Sequence, residues 1–242
     1  MSKVEEFVVL TGATRGIGAR LIEKLVGRGQ SVIAVGRYLP ALDKLNKIYG
    51  DKVHTYSLNL GDPKACETFG VYIAESFSIL GLINNAAIQV DGPIELQTAD
   101  EIDREIRTNL TAPAILSARI SPHLPKGRGF IVNVSSGLGL APKSDAAVYC
   151  ATKAALRNLT RGIENQQDPT RAIALIDVVL PLVDTDMTYG RGSGKISSNF
   201  AADAILNAID KRLAVQWVGK AKLLYVVNRL SPVLAAKIMR RL

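Results

Sequence analysis

Short apolar runs alternate along the chain with longer amphipathic stretches. The apolar runs predict seven β-strands, and several are almost continuously apolar, as expected for strands that are buried on both faces. The predicted strands cover residues 7–11, 31–35, 53–59, 82–86, 129–135, 172–180 and 214–219. The stretches between them predict helices over residues 17–28, 40–48, 62–78, 98–121, 149–165 and 199–211.

This alternation predicts an α/β fold, in which a Rossmann-type, doubly wound parallel sheet of about seven strands carries helices on both faces. We expect a single such domain over residues 1–219, with catalytic and nucleotide-binding roles. Residues 220–242 are expected to form two short helices that pack on or beside it. Ligands of such sheets bind beyond the carboxyl ends of the strands. The chemistry is therefore expected just after residues 11, 35, 59, 86, 135 and 180.

Composition narrows the class of protein. The chain has 242 residues, of which 48% are hydrophobic, and this is enough for a large core. Its two cysteines, Cys66 and Cys150, provide no disulfide framework, so we expect a reducing, cytoplasmic location. The opening residues lack the pattern of a secretory signal, and no run of about 18 apolar residues predicts a spanning helix. We expect no metal site.

The net charge of +8 comes from the end of the chain. Residues 211–242 contain 8 of the 30 basic residues and no acidic residue, whereas residues 1–210 contain 22 basic and 22 acidic residues. A basic amphipathic helix can lie on an anionic membrane. We favour packing of residues 220–242 against the body or a subunit partner over this membrane-surface contact. A nucleic-acid partner is not expected, because no recognisable reading motif accompanies the basic region.

A glycine cluster separates the first strand from the first helix. Gly12, Gly16 and Gly18 allow a tight turn and a close approach of backbone N–H groups to a pyrophosphate. An acidic residue after the second strand usually binds a free ribose 2′-OH, but Arg37 occupies that place, and Arg15 lies in the loop. Two guanidinium groups suit a 2′-phosphate, which predicts NADP(H) over NAD(H). The alternative is that both arginines are merely solvated.

Tyr149 and Lys153 are four residues apart in a predicted helix and therefore share one face. Such a pair is often no more than a solvated helix start. Here Ser136 ends the fifth strand, so all three side chains are expected where a nicotinamide would lie. Hydride transfer to a carbonyl needs a proton donor at the oxygen, and a nearby ammonium lowers the pKa of a tyrosine. We predict that Ser136 orients the substrate oxygen.

The ordered set of motifs resembles the short-chain dehydrogenase/reductase family over essentially the whole chain. The motifs are TGATRGIG (11–18), NNAA (84–87), Asn109, VNVSS (132–136), YCATK (149–153) and VDTDM (183–187). The carboxyl-terminal stretch also resembles DltE-like bacterial short-chain oxidoreductases. The resemblance implies an NAD(P)-dependent enzyme that acts on CH–OH groups and carbonyls of small molecules, commonly as a homodimer or homotetramer.

The same resemblance implies a catalytic tetrad of Asn109, Ser136, Tyr149 and Lys153. Tyr149 would be the general acid/base, Lys153 would also bind the nicotinamide ribose, and Asn109 would support a water-linked proton path. Residue patterns and resemblance together predict a larger set of cofactor-binding residues. These are Gly12, Thr14, Arg15, Gly16, Ile17, Gly18, Arg37, Asn59, Leu60, Asn85, Ala86, Tyr149, Lys153, Val183 and Thr185.

Several positions depart from the family pattern. Ala87 stands where the family has glycine, and Asn59 stands where it usually has aspartate beside the adenine. The turn around Pro181 lacks the family's Pro-Gly, so the resemblance does not predict the backbone path of this turn. Residues 187–200 occupy the position of the substrate lid. We predict that Arg191 and Lys195 there are solvated, and the alternative is a site for an anionic substrate.

Three rival functions stay open at this point. An isomerase, epimerase or dehydratase on the same fold would use the cofactor without net turnover. A nucleotide-sensing protein would bind NADPH without catalysis. A membrane-surface protein would depend on residues 220–242.

Overall fold

The computed structural model describes residues 5–168, 170 and 172–240. The end of the predicted helical extension, Arg241 and Leu242, lies outside the described residues. Nine strands occur in the described chain. They are β1 (Phe7–Thr11), β2 (Ser31–Gly36), β3 (Val53–Ser57), β4 (Ile79–Asn84), β5 (Phe130–Ser136), β6 (Ala174–Leu180), β7 (Val183–Asp184), β8 (Ile196–Ser197) and β9 (Val215–Trp217). Seven of them form one parallel sheet in the order β3-β2-β1-β4-β5-β6-β9, and β7 pairs with β8.

The sheet is doubly wound, as predicted. The chain runs from β1 outward to β3, returns to β4 beside β1, and then runs outward in the other direction to β9. The direction changes between β1 and β4, so the loops after these two strands part and leave a crevice at the carboxyl edge. Every residue of β1, β5 and β6 is buried, which explains why these strands read as continuous apolar runs.

Helices cover both faces of the sheet. They are α1 (Gly16–Gly27), α2 (Leu39–Tyr49), α3 (Pro63–Ser76), α4 (Ala99–Ile106), α5 (Ala112–Ile120), α6 (Ala147–Asn165), α7 (Ser198–Asp210), α8 (Lys220–Leu230) and α9 (Pro232–Met239). One apolar layer joins the sheet to α1 and α7 through Leu21, Ile22 and Ile205. The opposite layer joins it to α3 and α5 through Ile73 and Leu116. Within the described residues, no helix combines the length and apolar character needed to cross a bilayer.

Helix starts follow local sequence rules. Asp62 caps α3 by accepting a hydrogen bond from the Ala65 N–H, and Thr98 with Glu101 forms a capping box on α4. Helix α9 is capped in the same way, since the Ser231 hydroxyl accepts a hydrogen bond from the Leu234 N–H at 3.2 Å.

Several predicted element boundaries were wrong. β4 begins at Ile79 rather than residue 82, because Gly81 interrupts the apolar pattern yet lies within the strand. A Cβ at position 81 would lie 2.4 Å from the Phe130 ring, so the sheet accepts only glycine there. β3 ends at Ser57, two residues early.

The predicted helix 98–121 is divided by a π-helical turn at residues 107–111. Pro113 lacks the N–H that an α-helix would direct at the Asn109 carbonyl, which favours a wider turn at this point. The turn places Asn109 and Thr108 inside the protein.

Candidate active site

A cavity of about 1150 Å³ opens at the carboxyl edge of the sheet. Its walls come from the loops after β1, β2, β4, β5 and β6 and from α8 and α9. The predicted site residues on its wall are Gly12, Thr14, Arg15, Gly16, Ile17, Arg37, Asn59, Leu60, Asn85, Ala86, Ser136, Tyr149, Lys153, Val183 and Thr185. Gly18 and Asn109 are absent from this wall.

The glycine loop approaches its neighbours too closely for side chains. Gly12 has φ +65°, and a Cβ on it would lie 2.8 Å from the Cα of Ala86. Gly16 has φ +53° and faces Thr185, whose Cγ2 would lie 3.1 Å from an added Cβ. Gly18 sits behind the loop, where a Cβ would lie 2.0 Å from the Gly12 carbonyl oxygen. Its place in the fold is therefore the close packing of α1 on the loop.

Hydrogen bonds fix the glycine loop to the end of β4. The Thr11 hydroxyl accepts bonds from the N–H groups of Asn85 and Ala86, both at 3.1 Å. The Asn85 side chain donates to the carbonyls of Thr11 and Gly12 at 3.0 and 3.2 Å. The Asn85 amide thus fixes the backbone of the glycine loop. These protein contacts define the shape of the loop without a bound ligand.

The start of α1 can accept an anion. Its N-cap, Arg15, makes no side-chain cap, and its first turn has no acidic residue. The N–H groups of this turn remain available, as a pyrophosphate requires. The Arg15 guanidinium lies 3.5 Å from the Asp186 carboxylate, and both groups are largely exposed. Arg37 is exposed at the same cavity mouth.

The adenine side is built by the loop after β3. Leu60 is buried and gives this end of the cavity an apolar floor. Asn59 is exposed, and its Oδ1 accepts a hydrogen bond from the Gly61 N–H at 3.1 Å. Its Nδ2 keeps donor capacity for a ring nitrogen. These residues, the open start of α1 and the two arginines fit a phosphorylated dinucleotide.

The proposed catalytic groups meet at the centre of the cavity. Ser136 is the last residue of β5, and its hydroxyl accepts a bond from the Leu138 N–H at 3.1 Å. Tyr149 lies in the first turn of α6 and Lys153 lies one turn later. The Lys153 ammonium is 5.6 Å from the Tyr149 ring centroid and donates to the Val134 carbonyl at 2.9 Å.

Burial has the largest effect on the protonation of Tyr149. It raises the pKa of Tyr149 above its usual value, Cys150 and Glu105 act in the same direction, and Arg191 opposes them. The lowering of this pKa by the Lys153 ammonium stays a prediction. It would act against the burial of the phenol.

Lys153 is affected by burial in the opposite direction. Burial lowers its pKa to about 8, with Asp177 and Glu105 opposing the shift. The ammonium form therefore still predominates at neutral pH. Tyr149 is thus a neutral phenol beside a charged ammonium.

Asn109 joins the loop after β4 to α6. It is fully buried in the π-helical turn, and its Oδ1 accepts a bond from the Ile88 N–H at 2.9 Å. Its Nδ2 donates to the Ile88 carbonyl at 2.8 Å and to the Thr152 hydroxyl at 3.2 Å. Asn109 therefore lies behind the cavity wall and holds the backbone of a wall residue.

Sequence reasoning missed a buried carboxyl group near this centre. Glu105 is fully buried on α4, and its Oε1 accepts a bond from the Val90 N–H at 3.3 Å. Its Oε2 has no hydrogen-bond partner among the described residues. Burial raises the pKa of Glu105, which favours the neutral acid. Its position four residues before Asn109 was the available signal, because such residues share a helix face.

A buried ion pair was also missed. The Arg157 Nε donates to the Asp177 carboxylate at 2.8 Å, and the guanidinium lies 4.8 Å from the Trp217 ring centroid. The Ser135 hydroxyl donates to the other oxygen of Asp177. Arg157 lies one turn beyond Lys153, and that spacing was visible in the sequence.

The lid charges are not solvated, contrary to prediction. Arg191, 31% exposed, lies 2.5 Å from the Asp91 carboxylate. Lys195, 18% exposed, donates to the Thr188 carbonyl at 2.5 Å and lies 3.8 Å from Asp184. The Arg191 pair joins residues 100 positions apart, and the Lys195 contacts depend on how the lid folds back, so the charge pattern alone did not show them.

The unusual turn after β6 keeps its end beside the glycine loop. Val183 is buried in β7, and the Thr185 methyl group packs against Gly16. The Ile196 N–H donates to the Leu182 carbonyl at 3.0 Å, which anchors the lid to this turn.

Comparison with known proteins places these features in a family. Residues 6–195 match the family model described as short chain dehydrogenase. The chain is 32% identical over 191 residues to the uncharacterized oxidoreductase DltE of Bacillus subtilis (strain 168), covering 77% of this chain and 75% of that protein.

Solved structures support membership of the same family. A short-chain dehydrogenase from Sphingobium yanoikuyae in complex with NADPH superposes with TM-score 0.82 at 28% identity, covering 95% of each chain. A bulky-bulky ketone specific alcohol dehydrogenase from Comamonas testosteroni gives TM-score 0.81 at 27% identity, covering 96% of this chain and 94% of that one. The chain therefore belongs to the short-chain dehydrogenase family and is an NAD(P)-dependent oxidoreductase that acts on CH–OH or carbonyl groups.

Proposed function

We propose that this protein is an NADPH-preferring carbonyl reductase in which Tyr149 donates the proton. The observation that carries the proposal is the meeting of Ser136, Tyr149 and Lys153 on one wall of a cavity that also contains the glycine loop. NADPH, when bound, supplies the hydride that reduces the carbonyl carbon. Negative charge then develops on the carbonyl oxygen, and this chain's residues must stabilise and neutralise it.

The side chains divide this task between them. In this proposal the Ser136 hydroxyl donates a hydrogen bond to the substrate oxygen and so orients it. Tyr149 transfers its phenolic proton to the same oxygen, which leaves a phenolate. The Lys153 ammonium stabilises that phenolate by its charge. Asn109, through Ile88 and Thr152, fixes the loop and the helix on either side of the reacting groups.

The raised pKa of Tyr149 favours the reductive direction near neutral pH. Reduction needs a protonated donor, and burial keeps the phenol protonated. Oxidation needs Tyr149 as a base, so that direction should become faster as the pH rises. The two directions are therefore expected to have different pH optima.

NADPH preference is supported by charge at the cavity mouth. Arg37 follows β2, where a ribose 2′-phosphate would lie, and among the described residues no carboxylate forms an ion pair with it. Arg15 is already near Asp186, so we assign it the smaller share of the affinity. The NADPH-bound relative from Sphingobium yanoikuyae supports the same cofactor.

The substrate side of the cavity is mainly apolar. The apolar side chains on this side are Leu138, Leu182, Leu224, Val227 and Met239. Since the aromatic content is low and the aliphatic wall is broad, we propose a carbonyl compound with a sizeable apolar substituent. The ketone-specific relative from Comamonas testosteroni supports this class.

The test is a panel of aldehydes and ketones of increasing apolar size, followed by NADPH absorbance. Tyr149→Phe should lower kcat for any accepted substrate by about 10²- to 10⁴-fold, the range of general acid catalysis. NADPH affinity should stay within about threefold, because the phenol adds little to ground-state binding. Tyr189→Phe, an exposed lid tyrosine, is the matched control and should retain activity.

Other outcomes would assign the site differently. Conversion of substrate without net NADPH consumption would indicate an isomerase, epimerase or dehydratase. Tight NADPH binding without conversion of any panel member would favour a nucleotide sensor. Full activity of Tyr149→Phe would exclude Tyr149 as the proton donor.

The proposal extends to the assembly and the location of the protein. We propose a homodimer or homotetramer, as the family implies, which light scattering can measure. A cytoplasmic location is supported by Cys66 and Cys150, which are both free and buried. Residues 1–219 are proposed as the catalytic domain and residues 220–242 as its extension.

A further inference from the structure

Exposed apolar side chains are concentrated on the last two helices. Of the 16 large apolar side chains exposed in the described part of the chain, six belong to α8 and α9. They are Leu223, Val226, Leu230, Val233, Leu234 and Ile238. The other ten are spread over the rest of the surface. Local clustering of this kind marks an interaction surface, whereas scattered single residues do not.

The spacing of these residues puts them on one face of each helix. Leu223, Val226 and Leu230 recur at intervals of three and four in α8, and Leu234 and Ile238 are four apart in α9. Another side of the pair is buried, where Ala235 and Met239 pack with Ala141 and Leu138, and Ala221 lies beside Gly137. The exposed face is therefore not a folding defect, since a separate face of the same helices supplies their packing.

Basic side chains interleave with the exposed apolar ones. Lys222, Arg229, Lys237 and Arg240 are all exposed, and residues 220–240 contain no acidic residue. None of these four forms an ion pair within the described residues, whereas Arg28 and Arg128 on the body are paired with carboxylates. We define the basic apolar face as these four residues and the six exposed apolar ones. Among the residues that the structure describes, this face has no partner of opposite charge.

The basic apolar face borders the cavity. Leu223 and Ile238 are exposed and also belong to the cavity wall, so they lie at its rim. Leu224, Val227 and Met239 continue the apolar surface inward from that rim. An apolar molecule therefore has a continuous apolar path from the face into the cavity.

We propose that α8 and α9 dock this protein on an anionic lipid surface. Apolar side chains would enter the headgroup boundary while the basic groups meet lipid phosphates. A second copy of the chain fits less well, because pairing two such faces would bring basic groups together with no acid between them. Docking places the cavity rim at the lipid, from which an amphiphilic carbonyl compound can enter. Entry of a carbonyl compound from the lipid rests on the proposed function, whereas the docking itself does not.

The test is co-sedimentation of the full chain with vesicles, without substrate or turnover. The protein should bind vesicles made of equal parts phosphatidylcholine and phosphatidylglycerol, and bind pure phosphatidylcholine vesicles much less. Raising the salt from about 0.1 M to about 1 M shortens the Debye length from about 10 Å to about 3 Å, so binding should fall strongly.

Substitutions then locate the contact. Leu230 and Val233 are 81% and 80% exposed and do not belong to the cavity wall. Leu230→Glu with Val233→Glu should reduce vesicle partitioning at least about tenfold, because burial of two apolar side chains is lost and two repelled charges are added. Reduction of a small water-soluble substrate should be unchanged. The control is Leu96→Glu, 75% exposed elsewhere on the surface, which should bind vesicles normally.

Three results would overturn the proposal. They are failure of the wild-type chain to sediment with anionic vesicles, unchanged sedimentation of the double variant, and conversion of an oligomer to a monomer by that variant in the absence of lipid. The last result would identify the basic apolar face as a subunit contact. Tyr149→Phe should sediment like the wild type, so a failure of the proposed function is measured separately from a failure of docking.

Discussion

The two walls of the cavity are built in different ways. The cofactor wall consists of the glycine loop, the ends of β4 and β5 and the start of α6. Its residues are fixed by strand ends and by short hydrogen bonds such as Asn85 to Gly12. The substrate wall comes from the segment 181–197 and from α8 and α9, in which some residues line the cavity and others, such as Tyr189, Leu230 and Val233, do not. It is held by ion pairs across loops, such as Arg191 with Asp91, and by apolar packing near the surface.

This difference shows which part of the protein can change without losing its chemistry. On the cofactor wall, added atoms would collide with backbone, as at Gly12 and Gly18. On the substrate wall, Gly190 has no atom within 4 Å of an added Cβ, and Tyr189 is largely exposed. We therefore expect substitutions on the cofactor wall to act on catalysis and cofactor binding, and substitutions on the substrate wall to act on substrate choice.

The largest expected effect tests the charge on the cofactor wall. Lys153→Met should lower kcat by about 10²-fold or more, because the phenolate left on Tyr149 loses its ammonium. In the wild type, Lys153 has its pKa lowered to about 8, so the ammonium is present below that pH and lost above it. The reductive rate should therefore fall above about pH 8. The pH profile of kcat measures this, and the fall should be absent in Lys153→Met.

A profile of the variant that still falls above pH 8 would assign that step to another group. Lys195→Met is the control, because Lys195 lies on the substrate wall beside Asp184. It should leave the shape of the profile unchanged.

The second prediction compares one glycine on each wall. Gly12→Ala introduces a Cβ 2.8 Å from the Ala86 Cα at φ +65°, so both collision and backbone strain oppose it. NADPH affinity should fall at least about tenfold, since the loop must shift away from its phosphate-binding shape. Gly190→Ala has a similar φ of +73° but meets no atom within 4 Å. It should cost only about 1 kcal/mol of stability.

Fluorescence titration with NADPH and urea unfolding of both variants make this measurement. Equal NADPH affinities for the two variants would remove the distinction drawn between the walls.

The third prediction concerns cofactor choice at the cavity mouth. Arg37→Ala should weaken NADPH binding by about tenfold while leaving NADH nearly unchanged, because one charge-assisted contact to the 2′-phosphate is lost. Arg15→Ala should have the smaller effect, since Arg15 already lies near Asp186. Dissociation constants for both nucleotides decide this. Equal affinity of the wild type for NADH and NADPH would show the assignment to be wrong.

The same contrast separates what the sequence predicted from what it did not. β5, Ser136 at its end and Tyr149 at the start of α6 followed from an apolar run and the length of one loop. These are local features, and a parallel sheet brings its strand ends to one edge. The pairing of Arg191 with Asp91 depends on how two distant loops meet, which no local pattern shows.

Burial of a charged residue is the hardest feature to predict. Glu105 lies in a strongly amphipathic helix in which Asp100 and Asp103 are exposed, and its one local signal is the four-residue spacing to Asn109. Its burial results from the π-helical turn that follows and from the loop holding Val90. The pKa of Tyr149 likewise depends on the water excluded around it, which the spacing to Lys153 does not report.

The smallest expected effect is at Glu105, the buried residue of α4 that accepts a hydrogen bond from the Val90 N–H. Burial raises the pKa of this carboxyl group, so above the pKa of the unfolded chain folding either retains a proton or buries a charge. Glu105 therefore costs stability as pH rises, and the cost disappears at low pH, where both states are protonated.

Glu105→Gln keeps an acceptor for the Val90 N–H and removes the ionisable group. It should raise the free energy of unfolding by about 1 kcal/mol at pH 8 and by much less at pH 5. Urea unfolding at the two pH values measures the difference, with half-buried Glu101→Gln as the control, which keeps the capping box through its amide oxygen and should be slightly less stable than the wild type at pH 8. A Glu105→Gln variant less stable than the wild type at pH 8 would mean that the buried carboxylate has a partner at Oε2. The contact between α4 and the loop after β4 would then depend on charge, as the contacts of the substrate wall do.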